Sequence, residues 1–326
     1  MDKKKKQYQF CVAPMLRYTD ESCRVLYRKF TKKSVLFTEM ILFNQLINKH
    51  HYILPYNKES HDPVIVQLAG NNSLDLSKCS KIIYDKNYKE INLNIGCPSQ
   101  SSEKGNFGIY LMKNINTVLD LIKSIEDSVS IKISIKTRIG IENNNEYAFL
   151  KNFIYEITEK TSCKIFFIHA RIAILNGFSP KNNRTIPPLK YDYVYKIKKD
   201  FPNTTIIING EINSIKKSIQ HLKKVDGVMI GRMIYKNPLL LNNIDNIIYK
   251  KKQKKKNNIT TLINEYINEQ LSNNFPIRKI LRPLAGLLYK TNKSSIWKQK
   301  INKCIQKNKI EKKKLNKILN TVINFL

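Results

Sequence analysis

The feature that most constrains this fold is a repeated alternation between short apolar segments and longer stretches with helical periodicity. About eight apolar segments occur before residue 234. They are residues 8–15, 35–40, 64–68, 91–95, 131–141, 164–171, 205–212 and 227–233. Strands that alternate with helices form parallel sheets, and eight such strands close into a barrel. The sequence therefore predicts an α/β fold, a TIM (β/α)8 barrel.

The chain changes character after Pro238. A lysine-rich run at residues 249–258 reads YKKKQKKKNN, and no strand pattern follows it. The rest of the sequence has helical periodicity and many basic residues. These residues either form an ordinary solvated surface or bind nucleic acid. The predicted organisation is a barrel in residues 1–242 and a small helical domain in residues 243–326.

The composition excludes several classes of protein. The six cysteines have neither CxxC nor CxH spacing, so we expect no disulfide framework and no metal site. No apolar run approaches membrane-spanning length, and the basic N-terminus is not followed by the apolar core of a secretory signal. We therefore expect a soluble, cytoplasmic protein without a membrane partner.

The net charge favours a polyanionic partner. The chain has 58 lysines and arginines against 25 acidic residues, a formal charge of +33. Such an excess attracts RNA or DNA and makes binding salt-dependent. The alternative is compositional drift, because lysine, isoleucine and asparagine are abundant throughout the chain.

The segment EINLNIGCPS, residues 90–99, contains the strongest candidate for a reactive group. Its apolar and polar residues alternate as in a strand, and the pattern stops at Gly96-Cys97-Pro98. In a TIM barrel the loops that follow the strands converge on the catalytic mouth. Cys97 is therefore either a functional thiol on such a loop or a small core residue, which is the usual fate of a free cysteine.

Polar residues within or after other strands are further candidates. Gln67 interrupts an apolar strand, so its amide either contacts a ligand or is satisfied in the core. In the fifth segment, alternation places Lys132, Ser134, Lys136 and Arg138 on one face, and an inward-facing lysine would need an anionic partner. His169 lies near the carboxyl end of the sixth segment and is either structural or a hydrogen-bond donor to a ligand.

The last two strands predict a phosphate site. Gly210 and Gly231 lie where these strands turn towards helices, and Arg232 adds a positive charge. TIM barrels commonly bind phosphate with the loops after strands seven and eight.

An ordered set of motifs resembles one family, the tRNA-dihydrouridine synthases, and specifically the bacterial A subfamily. The matching segments are VAPMLRYTDESCR, LFTEM, VIVQLAG, EINLNIGCPS, TRIG, IHARIAILNGFSPKNNRTIPPL, INGEI and DGVMIGRMIYKNP. The resemblance covers nearly the whole predicted barrel. It implies a flavoprotein with FMN as cofactor and NADPH as reductant, which reduces the C5–C6 double bond of uridines in the D-loop of tRNA. We also expect a monomer that binds the tRNA elbow.

The resemblance also assigns residues. Cys97 matches the general acid, a protonated thiol that donates a proton to C5 of the uracil. Asn94 matches the residue that holds the uracil edge. The residues that match the FMN site are Ala13, Pro14, Met15, Gln67, Lys136, His169, Asn209, Gly210, Glu211, Gly231 and Arg232. Those that match tRNA contacts are Lys181, Asn183, Arg184, Arg282 and Lys298, the last two in the predicted helical tRNA-binding domain.

Three residues depart from the family pattern. Glu211 stands where a second glycine is expected and brings a carboxylate near the phosphate, unless the side chain turns outward. Pro283 replaces a usual histidine, and Arg17 replaces an acidic residue. Two other functions remain compatible with the residues: an FMN barrel oxidoreductase that acts on a small molecule, and a tRNA-binding protein without catalytic activity.

Overall fold

A computed structural model describes residues 6–55, 61–144, 146–175, 177–251 and 258–306, except for the side chains of residues 51 and 52. Eight parallel strands form its sheet. They are β1 (Phe10–Val12), β2 (Leu36–Leu42), β3 (Val64–Ala69), β4 (Glu90–Ile95), β5 (Lys132–Arg138), β6 (Ile165–His169), β7 (Thr205–Asn209) and β8 (Gly227–Ile230).

The sheet closes into a barrel. Its order is β1-β8-β7-β6-β5-β4-β3-β2. The gap between β1 and β2 is bridged at Val35, whose carbonyl accepts from Val12 N at 2.8 Å and whose amide donates to Phe10 O at 3.0 Å. The predicted TIM barrel is therefore confirmed.

Helices follow the strands around the outside of the barrel. They are α1 (Glu21–Phe30), α2 (Phe43–Ile53), α3 (Ser73–Asp85), α4 (Gln100–Lys104), α5 (Ile115–Glu126), α6 (Tyr147–Lys160), α7 (Tyr191–Asp200), α8 (Ile215–Leu222) and α9 (Arg232–Lys236). Short 3-10 helices occupy Gln7–Gln9, Gly108–Lys113 and Asn182–Arg184. Asp20 caps the N-terminus of α1, because its side chain accepts from Cys23 N at 3.0 Å.

The lower interior of the barrel is an apolar plug. Its members include Tyr8, Phe37, Ile65, Phe167 and Ile207. The Phe37 and Phe167 rings meet edge to face with centroids 5.1 Å apart. A separate, larger apolar cluster fills the space between strands and helices and continues into the C-terminal helices.

The inward-facing residues become polar towards the mouth. Because side chains alternate along a strand, the inward position two residues after Phe167 is His169, and the one after Ile207 is Asn209. The same register places Lys136 and Asn94 towards the mouth. Five predicted strands were too long at their carboxyl ends, since residues 13–15, 139–141, 170–171, 210–212 and 231–233 have already left the sheet to form the loops and the short helix around the mouth.

The C-terminal region is helical and packs on α1. It contains a 3-10 helix at Pro238–Asn243, α10 (Ile244–Ile247), α11 (Ile259–Ser272), α12 (Ile277–Leu281), a 3-10 helix at Arg282–Gly286 and α13 (Ser294–Gln306). Ser22 of α1 donates to Gln270 of α11 at 2.7 Å, and Lys29 pairs with Glu269 at 2.8 Å. The domain boundary at residues 242/243 stays a prediction, and residues 252–257 of the lysine-rich run and residues 307–326 lie outside the described residues. None of the helices described is both long and apolar enough to cross a bilayer.

Candidate active site at the mouth of the barrel

A cavity of about 490 Å³ opens at the carboxyl ends of the strands. It brings most of the predicted site residues together: Ala13, Pro14, Met15, Asn94, Cys97, Lys136, His169, Arg184, Asn209, Gly210, Glu211, Gly231 and Arg232 all line it. The predicted residues that do not line it are Gln67, Lys181, Asn183, Arg282 and Lys298. Its volume lies in the range of pockets that bind cofactors and drug-sized ligands.

Cys97 lies on the cavity wall rather than in the core. Its side chain is half-buried, and its thiol donates to Ser99 Oγ at 3.4 Å. By contrast, Cys11, Cys23 and Cys163 are fully buried. The structure thus places the Cys97 thiol where a bound ligand can reach it.

Asn94 fixes the loop that carries Cys97. Its Oδ1 accepts from two backbone amides, Gly96 N at 3.1 Å and Cys97 N at 3.0 Å. Its Nδ2 donates to Gln67 Oε1 at 3.0 Å. An amide side chain has two N–H donors, so one donor of Asn94 is left for a ligand in the cavity.

Gln67 belongs to a buried chain of amides behind the cavity. Its side chain is 1% exposed, and its Nε2 donates to Asn92 Oδ1 at 2.7 Å. Asn92 in turn donates to Ser134 Oγ at 2.9 Å. The Gln67 side chain is thus bonded to the side chains of Asn92 and Asn94, and it supports the cavity wall through Asn94. A contact between Gln67 and a flavin stays a prediction.

The cavity is strongly positive. The described residues that line it include six cations, namely Lys136, Arg138, Arg184, Lys217, Arg232 and Lys236, and a single carboxylate, Glu211. Lys136 forms no hydrogen bond or ion pair with any described residue. Burial, assisted by the nearby Arg138 guanidinium, lowers the pKa of Lys136 to about 8. An unpaired ammonium of this kind is suited to an electron-rich ligand.

Arg138 joins two loops of the mouth. Its guanidinium donates to Gly96 O at 3.1 Å, and to Ile172 O and Asn183 O at 2.9 Å each. Burial lowers the pKa of Arg138 to about 10, which still leaves it charged at neutral pH. Arg138 therefore ties the Cys97 loop to the loop after β6. The sequence indicated its face of the strand but not this role.

His169 is neutral in this environment. Burial is the main cause of a pKa far below the usual histidine value, and the charges of Arg138, Lys136, Arg171 and Arg232 lower it further. A neutral imidazole can donate one hydrogen bond and accept another, which suits contact with a polar ring.

Glu211 does not bring an uncompensated charge to the predicted phosphate site. Its carboxylate pairs with Arg171 at 2.9 Å, and the Arg171 side chain is only 4% exposed. Glu211 has a φ of +45°, in the left-handed region that favours glycine, and Gly210 before it has a φ of +133°. The substitution is thus accommodated by a strained backbone and a buried arginine that the sequence did not single out as a site residue.

The predicted tRNA contacts have different surroundings. Arg184 lines the cavity, and Lys181 and Lys298 are exposed. Arg282 is ion-paired with Asp20, which connects the C-terminal helices to α1. Asn183 requires a correction: it is 0% exposed and its amide binds Ile174 O and accepts from Ile174 N, so its side chain is not available to RNA in this conformation.

The other two family departures lie outside the cavity lining. Arg17 is exposed, has a φ of +65°, and donates its backbone N–H to the Glu39 carboxylate. Pro283 is buried in the first turn of the 3-10 helix at Arg282–Gly286, where a missing N–H has little cost.

The lining residues fit a flavin that carries a phosphate. Asn94, Lys136 and His169 offer polar contacts for a ring at one part of the cavity. Arg232 and the glycine turns at Gly210 and Gly231 offer charge and close backbone approach for a phosphate. In the part of the chain that the structure describes, there is no group of three or more His, Cys, Asp or Glu residues arranged to hold a metal ion.

Sequence comparison identifies related proteins over most of the chain. Residues 11–323 match the family model described as dihydrouridine synthase (Dus). The tRNA-dihydrouridine(20/20a) synthase of Vibrio vulnificus is 41% identical over 293 residues, which are 89% of this chain and 90% of that protein. The protein of the same name from Escherichia coli K12 is 40% identical over 293 residues, 89% of this chain and 85% of that protein.

Two solved structures share the fold at low sequence identity. The crystal structure of TcOYE with pHBA superimposes with a TM-score of 0.51 and 12% identity, over 72% of this chain and 88% of that chain. Histamine dehydrogenase from Rhizobium sp. 4-9 gives a TM-score of 0.52 and 11% identity, over 74% of this chain and 46% of that chain. At these identities the likeness supports the barrel alone.

Proposed function

The chain belongs to the dihydrouridine synthase family, and on that premise we propose that it is a tRNA-dihydrouridine synthase that uses FMN and NADPH. The reaction is reduction of the C5–C6 double bond of uridines in the tRNA D-loop. The names of the similar bacterial proteins favour positions 20 and 20a. The observation that carries the proposal is one positive cavity that contains a thiol, an amide with a free donor and an unpaired ammonium. A cytoplasmic location, where tRNA is available, is part of the proposal.

Several residues would hold the cofactor. Lys136 and His169 would contact the flavin ring, and Asn209, Gly210, Gly231 and Arg232 would hold its phosphate. When bound, FMN reduced by NADPH would supply the hydride for the reduction of the uracil ring. A nearby ammonium stabilises negative charge on an electron-rich ring, and this is the contribution expected of Lys136.

Asn94 and Cys97 would act on the uracil. The remaining N–H of Asn94 donates a hydrogen bond to a carbonyl at the edge of the base, which orients the ring. The Cys97 thiol would give its proton to C5 as C6 receives a hydride, so that the ring gains two hydrogens in all. Because Asn94 also accepts from the Cys97 amide, the same side chain positions both the base and the acid.

A chain of hydroxyls gives the thiol a route to regain its proton. Ser99 Oγ, which accepts from Cys97 Sγ, lies 2.9 Å from Ser101 Oγ and 2.8 Å from Ser102 Oγ. Ser101 is exposed to solvent. A proton can therefore pass from water through Ser101 and Ser99 to Cys97 between turnovers.

The proposal is tested by incubating the purified protein, reconstituted with FMN, with NADPH and tRNA that lacks dihydrouridine. Mass spectrometry is expected to show uridines that are heavier by two hydrogens in the D-loop. The result that refutes the proposal is a protein that binds flavin and oxidises NADPH but forms no dihydrouridine.

The role of Cys97 is tested with Cys97→Ala. This variant is expected to bind FMN and to accept electrons from NADPH as the wild type does, but to lose at least about 100-fold in turnover on tRNA, because removal of a general acid costs about 10²- to 10⁴-fold. Cys304→Ala, which changes a cysteine in α13, serves as the matched control and should retain full activity. Unchanged turnover of Cys97→Ala would contradict the assignment.

A further inference from the structure

Among the described residues that line the mouth cavity, Tyr289 is the one that follows residue 238, and it lies in the turn between α12 and α13. It lies just after the 3-10 helix at Arg282–Gly286, which packs directly on α9. A Cβ at Gly286 would lie 2.4 Å from Tyr235 O and 2.8 Å from Lys236 O, so only glycine permits this approach. The close contact explains how a residue so far along the chain reaches the mouth.

The backbone of Tyr289 is firmly anchored. Leu287 and Leu288 before it are buried, with 2% and 1% exposure. Trp297 is also buried and donates its indole N–H to Leu284 O at 2.8 Å. Tyr289 is itself only partly buried, so a rigid support presents an accessible phenol ring.

The surroundings of the ring have the chemistry of a base-stacking site. Among the described residues that line the cavity, Tyr289 is the only Phe, Tyr or Trp, and its ring packs on no other aromatic ring of the described chain. The ammonium of Lys290 lies 5.8 Å from the ring centroid, and Lys236 also lines the cavity. Aromatic rings flanked by cations are what proteins use to hold unpaired nucleotides.

We propose that Tyr289 is a stacking platform for a nucleobase that adjoins the uridine being reduced. This inference rests on the proposed function. A uridine that enters the cavity must leave its stack, and its neighbour then loses a stacking partner. A ring at the rim of the cavity replaces that partner, while Lys290 and Lys236 meet the phosphates on either side of the base. The C-terminal helices thereby contribute directly to selection of the substrate.

The test compares Tyr289→Leu and Tyr289→Phe with the wild type, all loaded with FMN. The substrates are a D-arm RNA hairpin and two derivatives with an abasic site immediately 5′ or 3′ of the target uridine. Tyr155→Leu, which changes a half-exposed tyrosine on α6, is the matched control.

On the intact hairpin, Tyr289→Leu should raise the KM for RNA about 5- to 150-fold, the range expected for loss of one stacked base. Tyr289→Phe and Tyr155→Leu should remain within about twofold of the wild type. On one of the two abasic hairpins the wild type should lose a similar factor, and the difference between wild type and Tyr289→Leu should disappear. Equal KM values for wild type and Tyr289→Leu on that abasic hairpin would identify a contact between the ring and the missing base. A merely structural role of Tyr289 would not produce this result.

Two results would overturn the inference. One is an equal effect of Tyr289→Leu on all three hairpins or no effect at all. The other is loss of bound FMN in Tyr289→Leu, since the ring would then belong to the cofactor site. Failure of the proposed function is separate: in that case the wild type itself forms no dihydrouridine on the intact hairpin.

Discussion

Asn94 has two proposed roles, anchoring the Cys97 loop and binding the uracil, and mutation can separate them. Its Oδ1 accepts from the amides of Gly96 and Cys97, one Nδ2 hydrogen goes to Gln67, and the other is left for the uracil. Asn94→Ala removes all of these bonds. Asn94→Asp keeps the acceptor for the two amides but removes both donors.

The expected cost of Asn94→Ala follows from the three bonds that it breaks. At about 0.5–1.5 kcal/mol per hydrogen bond, the free energy of unfolding should fall by about 1.5–4.5 kcal/mol. For a chain of this length that corresponds to a Tm lower by about 2–7 °C. Turnover should also fall, because the Cys97 loop loses two of its anchors.

Asn94→Asp should leave stability nearly unchanged. The Gln67 amide can turn over and donate to the new carboxylate, provided that Asn92 turns as well and accepts from the Ser134 hydroxyl. Each side chain of this hydrogen-bonded series then retains a hydrogen-bond partner. The base, however, meets a carboxylate instead of a donor.

The assay is kcat/KM for tRNA with the FMN-loaded enzyme, beside a thermal melt. A uracil carbonyl left without a donor costs about 1–3 kcal/mol, so Asn94→Asp should lower kcat/KM about 5- to 150-fold at an unchanged Tm. The control is Asn114→Asp, which alters the N-cap of α5 and also keeps its acceptor. Wild-type kcat/KM in Asn94→Asp would refute the idea that Asn94 holds the base.

Two further predictions concern pH. The pKa of Lys136 is lowered to about 8, so its ammonium loses its proton as pH rises through that value. The affinity of the apoprotein for FMN, measured by fluorescence titration, should therefore weaken between pH 7 and 9, and Lys136→Arg should remove this dependence. A wild-type affinity that does not change with pH would contradict the prediction. Burial raises the pKa of Glu90 to about 7, against about 4.3 when unfolded, so stability present at pH 4 is lost as pH rises through 7. Glu90→Gln should therefore raise the Tm by a few degrees at pH 8 but little at pH 4, while the exposed control Glu159→Gln changes neither; a Tm gain that is equal at both pH values would exclude this explanation.

The sequence by itself determined the fold and the position of the thiol. Alternation of apolar residues is a local property of each strand, and eight such strands separated by helices leave a closed parallel barrel as the favoured arrangement. The placement of Cys97 at the mouth follows from the same pattern, because loops after parallel strands converge on one end. The N-cap at Asp20 is likewise a local contact, since it joins residues three apart.

Only the tertiary structure decided which side chains meet across the mouth. Asn183 was expected to contact tRNA, but its side chain is buried and donates to Ile174 O. The carboxylate of Glu211 needed the buried Arg171, which belongs to a different strand's loop. Tyr289 reaches the cavity only because Gly286 lets the C-terminal helices pack on α9. These contacts join residues far apart in the chain, so their partners are set by how the elements pack and not by any local pattern.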